Sequence, residues 1–531
     1  MRFVVLDRGD HIPLDPRPLA VLVKDSWDDF GWRTMFRLLV VDSQGRHDIG
    51  HVKIASLGMD PDAETVVRLP SSFTTLSDEY FSVGQDDTYY ERLNELAGST
   101  SEPVLRGLRD MALDEQVFAM AQRQEVTRVS LMRSLRPRTV ESQFRRIARG
   151  GRRRASFDIG YRSPTQDDGG HLTLDFLVIP GQQPPTNVHV LTGRNGAGKS
   201  VLLQRLARSV ADIQADPEEV GWIFEAEAEA ESGPEIPRTA FDTVAGRSFA
   251  NLIRVSFSAF DTPPLLPEGP EEDFPTVYVG VCWPSVQGRT PQMKSQSRLK
   301  KEFAESLDVC LGTAELHDRW TAALRTLSYS GSGLLPEGWL SAYTQINPTA
   351  RRRTVARSLF NSLSSGHKVV LLAMTRLIEN VGERTLVLID EPETHLHPPM
   401  LAAFVRALSD LLTDRNGLAI VATHSPVVLQ EVPSDCVWKL LRHGDQFTAH
   451  RPTIQTFGEN VGVLTHEVFG LEVTDTGFHR DLSRAVSDGL SYHETLERFR
   501  GRLGGEARII ARSLIAERDA RSIGDGPQGG R

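Results

Sequence analysis

Gly193-x-x-x-x-Gly198-Lys199-Ser200 carries the most explicit chemistry in this chain. Between the two outer glycines lie Arg194, Asn195, Gly196 and Ala197. Glycines let a backbone wrap closely around a phosphate and visit dihedrals that a side chain forbids. The loop amides and the N-terminus of a following helix would then face the anion. Lys199 would reach the β- and γ-phosphates of a nucleotide, and Ser200 would hold Mg2+. The pattern demands a strand before it and a helix after it. Val188 to Leu191 and the amphipathic Leu202-Leu203-x-x-Leu206-Ala207 supply both.

Three later stretches could complete such a site. Leu363-Ser364-Ser365-Gly366-His367-Lys368 opens a helix. Its serine and glycine serve either as a second phosphate-binding device or as a plain N-cap. Thr385-Leu-Val-Leu-Ile-Asp390-Glu391-Pro392 is an apolar run ending in paired carboxylates. That is the form of a buried parallel strand presenting acids at its C-terminal edge. Asp390 would support Mg2+, and Glu391 would polarise an attacking water as general base. Leu418–Val421 then leads into Ala422-Thr423-His424-Ser425-Pro426, where His424 could contact a γ-phosphate and report its presence.

The elements that must position these groups make a chain of 531 residues, long enough for two or three structural units. Hydrophobic content of 40% and charged content of 24% are those of a globular protein without a membrane span. The opening Met1-Arg-Phe-Val-Val-Leu-Asp7 is too quickly charged for a signal peptide. Cys282, Cys310 and Cys436 are far apart and read as buried reduced thiols. A cytoplasmic protein is expected. The net charge of −10 rules out a uniformly basic coat but leaves room for a local basic face.

Residues 1–150 read as an accessory region, β over 1–58 with a hairpin turn at Asp42–Arg46, then helical from about Asp87. No heptad array predicts a long coiled coil. Arg145, Arg146, Arg149, Arg152, Arg153 and Arg154 crowd its end. They read first as a solvated helix end and second as a surface for a phosphate backbone. Residues 151–452 read as an α/β nucleotide-binding domain. It has a mixed sheet and a helical lobe at about 290–362, with acidic and proline-rich insertions at Glu225–Glu235 and Pro263–Pro275. Residues 453–531 read as a helical extension with a disordered tail from Gly524.

Taken together, these motifs resemble the ATP-binding cassette (ABC) ATPase superfamily. The P-loop resembles its Walker A motif, Leu363–Lys368 its signature, Leu386–Glu391 its Walker B motif and His424 its switch histidine. The run Asp390-Glu-Pro-Glu-Thr-His-Leu-His-Pro398 is more specific. It resembles the soluble AAA-family ATPases grouped with the overcoming-lysogenisation-defect (OLD) nucleases, the RecF and SMC-like repair ATPases and the ATPase subunits of phage-defence systems. The signature departs from the transporter form, with Ser-Ser-Gly-His in place of Ser-Gly-Gly-Gln. Gln287 or the strand ending Ser256–Phe260 is the place for a Q-loop, and Tyr161 for an adenine-stacking aromatic.

The resemblance implies ATP and Mg2+ as ligands and a homodimer of heads. Ser364 and Gly366 of one head would close over the γ-phosphate bound by the other, and hydrolysis through Glu391 would reopen the pair. It implies a switch in DNA-related processes such as phage defence or DNA repair, acting on double-stranded DNA or with a separate effector protein such as a nuclease. Arg351-Arg352-Arg353 could also meet nucleic acid. The alternative is an ATP-held scaffold that restrains or activates a partner without touching DNA. No nuclease site is expected here, since residues 455–531 hold no Asp-x-Asp pair. The sequence after Walker B and the large N-terminal region oppose a transporter subunit, and no membrane association is expected.

Overall fold

The fold is that of a computed structural model. It describes residues 1–12, 18–25, 29, 31–59, 66–96, 100–133, 135, 137–151, 154, 156–166, 169–212, 215–225, 249–256, 274–283, 292–312, 314–329, 332–336, 338–346, 349–443, 446–469 and 477–524. Arg152, Arg153, Gln287 and the insertion at 226–248 lie outside the described residues, as do most of Pro263–Pro275 and the tail from 525.

Among its described residues the N-terminal region holds six strands: β1 (Arg2–Leu6), β2 (Leu19–Lys24), β3 (Met35–Asp42), β4 (Gly45–Ser56), β5 (Ser72–Phe73) and β6 (Tyr80–Gly84). They form one sheet in the order β5-β1-β2-β3-β4-β6. This is more sheet than a hairpin, because β1 and β2 pair in parallel and β6 closes on β4. The expected hairpin is β3–β4. Asp42 Oδ1 accepts from the Gln44 and Gly45 amides to make its turn. Short helices, the first at Asp87–Glu95, bury Tyr90, Leu93, Leu105, Leu108 and Phe144 against Phe36, Val52 and Phe81 of the sheet. Two of their turns are π-helical, at Thr127–Leu131 and Val140–Phe144.

The remaining strands are β7 (Phe157–Arg162), β8 (Thr173–Val178), β9 (Val188–Thr192), β10 (Trp222–Glu225), β11 (Asn251–Ser256), β12 (Thr276–Gly280), β13 (Thr385–Asp390), β14 (Leu418–Thr423), β15 (Val437–His443) and β16 (Gln446–His450). Seven make one sheet, β12-β11-β13-β14-β9-β15-β16, parallel except for the edge strand β16. β10, β7 and β8 make a small antiparallel sheet. β9 and β14 are buried along their whole length, and β13 along all but Asp390, because both faces of the parallel sheet are covered. Side chains alternate between the two cores. Val387 and Ile389 join the core under the lobe helices, while Leu386 and Leu388 join the core under the P-loop helix and the small sheet.

The lobe helices are Gln296–Cys310, Ala314–Leu327 and Thr349–Ser362, followed by the signature helix Ser365–Asn380. A long helix, Pro398–Arg415, links β13 to β14. After β16 come Val461–Phe469, Gly477–Ser487, Tyr492–Arg498 and Gly505–Gly524, the last three sharing a small core of Leu482, Ala507 and Ala511. No helix among the described residues is long and apolar enough to cross a membrane.

Candidate nucleotide-binding site

The predicted motifs meet at one edge of the parallel sheet. In register, Asp390 of β13 lies opposite Ala422 of β14, and Ala422 lies opposite Leu191 of β9. The acids after β13, the histidine after β14 and the P-loop after β9 therefore leave three adjacent parallel strands at their carboxyl ends. That is where open α/β sheets bind ligands.

The P-loop is built as its glycines require. Gly193, Gly196 and Gly198 have φ of 150°, 79° and 88°, which favour glycine. A Cβ on Gly193 would stand 2.4 Å from the Leu440 carbonyl oxygen, and one on Gly198 would stand 2.5 Å from the Phe447 ring. Gly198 caps the helix Lys199–Ala211. A loop with left-handed glycines and no room for a Cβ at Gly193 or Gly198, opening a helix N-terminus, fits a phosphate and its Mg2+. Ala197 is buried, while Asn195 and Gly196 are exposed at the rim. Lys199 is buried and donates to the Gly193 and Arg194 carbonyls at 3.0 and 3.2 Å. Burial lowers its ammonium pKa, while Glu391, Asp390 and Glu393 pull it back up. The lysine thus stands in the field of all three carboxylates. Ser200 follows in the first turn of the helix, partly exposed.

Glu391 has a left-handed backbone, φ 43° and ψ 60°. For a non-glycine residue such strain costs on the order of 1–3 kcal/mol and gathers at functional sites. Three hydrogen bonds hold it: its amide donates to the Ala422 carbonyl at 2.9 Å, and its carbonyl accepts from the Thr394 hydroxyl at 2.9 Å and the Thr394 amide at 3.2 Å. The turn Pro392–His395 follows and buries Pro392. Glu391 Oε1 stands 3.8 Å from His424 Nδ1, too far for a hydrogen bond.

Glu393 is the residue that sequence reasoning passed over. Its Oε1 accepts from the Thr423 hydroxyl at 2.7 Å and the His424 amide at 2.8 Å, and lies 3.0 Å from His424 Nδ1. A third acid in Asp390-Glu-Pro-Glu393 was the available signal.

Ser364 caps the signature helix, its Oγ accepting from the His367 amide at 3.3 Å. The plain-cap reading therefore holds, and it leaves the hydroxyl exposed. Gly366 has a backbone reason too, since a Cβ there would meet the His395 carbonyl oxygen at 2.9 Å. Gly366 thus lies close against the turn after β13. Beside the P-loop a cleft is lined by Pro164, Thr165, Ala197, Val201, Arg205 and Phe447.

Tyr161 is not an adenine platform. It is wholly buried in the core and its hydroxyl donates to the Val220 carbonyl at 2.8 Å. The strand offered as one place for a Q-loop, β11, runs beside β13, with Ser256 opposite Asp390.

The described arginines near residue 150 are paired with carboxylates. Arg145 and Arg149 reach Glu115 at 3.4 and 3.1 Å, Arg146 pairs with Glu383, and Arg154 reaches Asp414 at 3.3 Å. Arg353 pairs with Asp308 at 2.9 Å, while Arg351 is exposed.

The P-loop on a parallel sheet, with paired acids one strand beyond its neighbour, defines a P-loop ATPase head of the ABC type. The AAA family described as "AAA domain, putative AbiEii toxin, Type IV TA system" matches residues 302–430, a span that includes Ser364, Gly366, Asp390, Glu391 and His424. Protein ea59 of Escherichia phage lambda is 35% identical over 538 residues, covering 98% of this chain and 99% of that protein. The chain belongs to the ea59 family.

Solved structures with a likeness include the ADP conformation of an ATP-binding cassette of an ABC transporter. It is 13% identical, covers 61% of this chain and 100% of its own, and has a TM-score of 0.31. A Clostridium perfringens cassette, part of an ABC transporter complex, is 15% identical. It covers 60% and 95%, with a TM-score of 0.27. At such scores the fold rests on strand order and register.

Proposed function

We propose that this protein binds and hydrolyses ATP at the carboxyl edge of β9, β14 and β13, and that ATP closes two copies into a head-to-head dimer. The observation that carries this reading is the register β13-β14-β9, which supports a single site made of P-loop, acid pair and histidine. The P-loop amides and Lys199 hold the β- and γ-phosphates. Glu391 accepts a proton from the attacking water, and His424 meets the γ-phosphate. Ser200 and Asp390 would hold Mg2+, which neutralises charge on the transferring phosphoryl group. The base lies in the cleft between Phe447 and Arg205. Ser364 and Gly366 of a second copy cap the γ-phosphate, consistent with a signature whose hydroxyl is exposed.

Dimer closure serves as a switch. The resemblance to OLD, RecF and SMC-like ATPases sets that switch in DNA-related work such as phage defence or repair, with a separate effector protein. One observation favours the second reading, an ATP-held scaffold that does not touch DNA. Four arginines whose second reading was a phosphate-backbone surface are paired with Glu115, Glu383 and Asp414.

Light scattering on Glu391→Gln with saturating ATP and Mg2+ tests the dimer. A doubled mass is expected, and a persistent monomer overturns it. Adding double-stranded DNA at low salt to the wild-type ATPase assay separates the two outputs. Stimulation supports the DNA switch, and indifference supports the scaffold.

A further inference from the structure

We propose that Glu393 is a positioning residue for His424, fixing which imidazole nitrogen carries the proton and which one faces the substrate. This rests on the reading of the edge as an ATP-hydrolysing site. Glu393 sits in the turn after the acid pair, with only 10% of its side chain exposed. One of its oxygens, Oε1, gathers three groups from the end of β14: the Thr423 hydroxyl, the His424 amide and His424 Nδ1. The other, Oε2, is shut off from solvent without a hydrogen-bond partner. The carboxylate is therefore anchored through one atom, and that atom is aimed at the histidine.

An ionised carboxylate only accepts hydrogen bonds. A contact of 3.0 Å to Nδ1 therefore places the proton on Nδ1 and leaves Nε2 as the nitrogen available to a ligand. Packing does not hold the ring, for the His424 side chain is 46% exposed. Thr423 reinforces the arrangement from beneath. It is fully buried, donates to Glu393 and accepts from the Ser425 amide at 2.9 Å. With the Glu391 amide on the Ala422 carbonyl, the link makes one unit of the turn carrying the general base and the strand end carrying the histidine. A shift of one carries the other.

The test is a double-mutant cycle on ATP turnover with Glu393→Gln and His424→Ala. Glutamine keeps the shape and an oxygen for Thr423, the His424 amide and Nδ1–H, and removes the charge that would stabilise a protonated ring. Glu393→Gln should lower kcat on the order of 10- to 100-fold. The KM for ATP should stay within about twofold, and in the His424→Ala background the same change should alter kcat by less than about twofold. Thr423→Val should give a smaller loss of the same kind. An equal loss from Glu393→Gln in both backgrounds would overturn the proposal. Nitrogen-15 spectra of the wild-type imidazole provide a readout that needs no turnover. Nδ1–H at His424 is expected in the wild type, and a ring mixed with or switched to Nε2–H in Glu393→Ala, which removes the acceptor. A wild-type Nε2–H tautomer overturns the proposal whether or not ATP is hydrolysed, whereas absent turnover with an Nδ1–H ring overturns only the ATPase reading.

Discussion

Two charged regions of this molecule are built on opposite principles. Where the N-terminal region meets the head, opposite charges are matched and buried. Arg319 donates to Asp86 at 2.6 Å and Asp414 at 3.1 Å, and Arg415 donates to Asp87 at 2.9 Å. Burial alone would raise the Asp86 carboxyl, but Arg319 and Arg415 beside it hold it well below the usual carboxylate range. At the sheet edge, by contrast, three acids crowd one lysine, Glu391 is backbone-strained, and His424 stands open to solvent. At the edge the acids outnumber the lysine that faces them, whereas across the interface each arginine named meets a carboxylate.

Breaking the matched side should give the largest effect. Arg415→Ala leaves Asp87 buried without its cation and should cost about 3–5 kcal/mol in denaturant unfolding. A loss under about 1 kcal/mol would mean that the network is not what joins the two regions. At the strained edge the sign reverses. Glu391→Gly relieves the left-handed backbone and should raise stability by about 1 kcal/mol while abolishing turnover. Destabilisation there would remove strain from the account. Glycine is required at Gly198 in turn. Gly198→Ala meets Phe447 at a φ of 88° and should destabilise by about 1–3 kcal/mol and weaken nucleotide binding.

The sequence disclosed the site better than the interface, for a physical reason. A P-loop is defined by backbone conformation, so Gly193, Gly196 and Gly198 announce it locally. Asp390 and Glu391 announce themselves by ending an apolar strand. The arginines at 145–154 could not be placed, because their acids are far along the chain: Arg146 and Glu383 are 237 positions apart. Glu393 escaped for a related reason. Its role appears only when β13 and β14 pair in register, bringing Thr423 and His424 to the turn. Tyr161 looked like a platform and proved to be core, since nothing in its neighbours signals that Val220 takes its hydroxyl.

Two smaller effects sharpen the contrast. Burial raises the Asp110 carboxyl in the N-terminal core to about 7. The folded state then holds a proton that the unfolded state releases near pH 4. Its contribution is fully present below about pH 4 and lost as pH rises to about 7. Asp110→Asn should flatten that part of the stability profile, and an unchanged slope would refute the assignment. His189 in β9 runs the other way. Burial depresses it to about 3, so its contribution is lost as pH falls from about 6.5 towards that value. The smallest change is expected from Arg149→Ala at an exposed pair, within about 1 kcal/mol.

The most direct test of the central claim is steady-state phosphate release from ATP with Mg2+, wild type against Glu391→Gln, with nucleotide binding measured on both. Saturable turnover is expected in the wild type, and a loss on the order of 100-fold or more in Glu391→Gln with binding retained. A wild-type protein that binds ATP without turning it over, or a Glu391→Gln protein as fast as wild type, would contradict the assignment of this edge as a hydrolytic site.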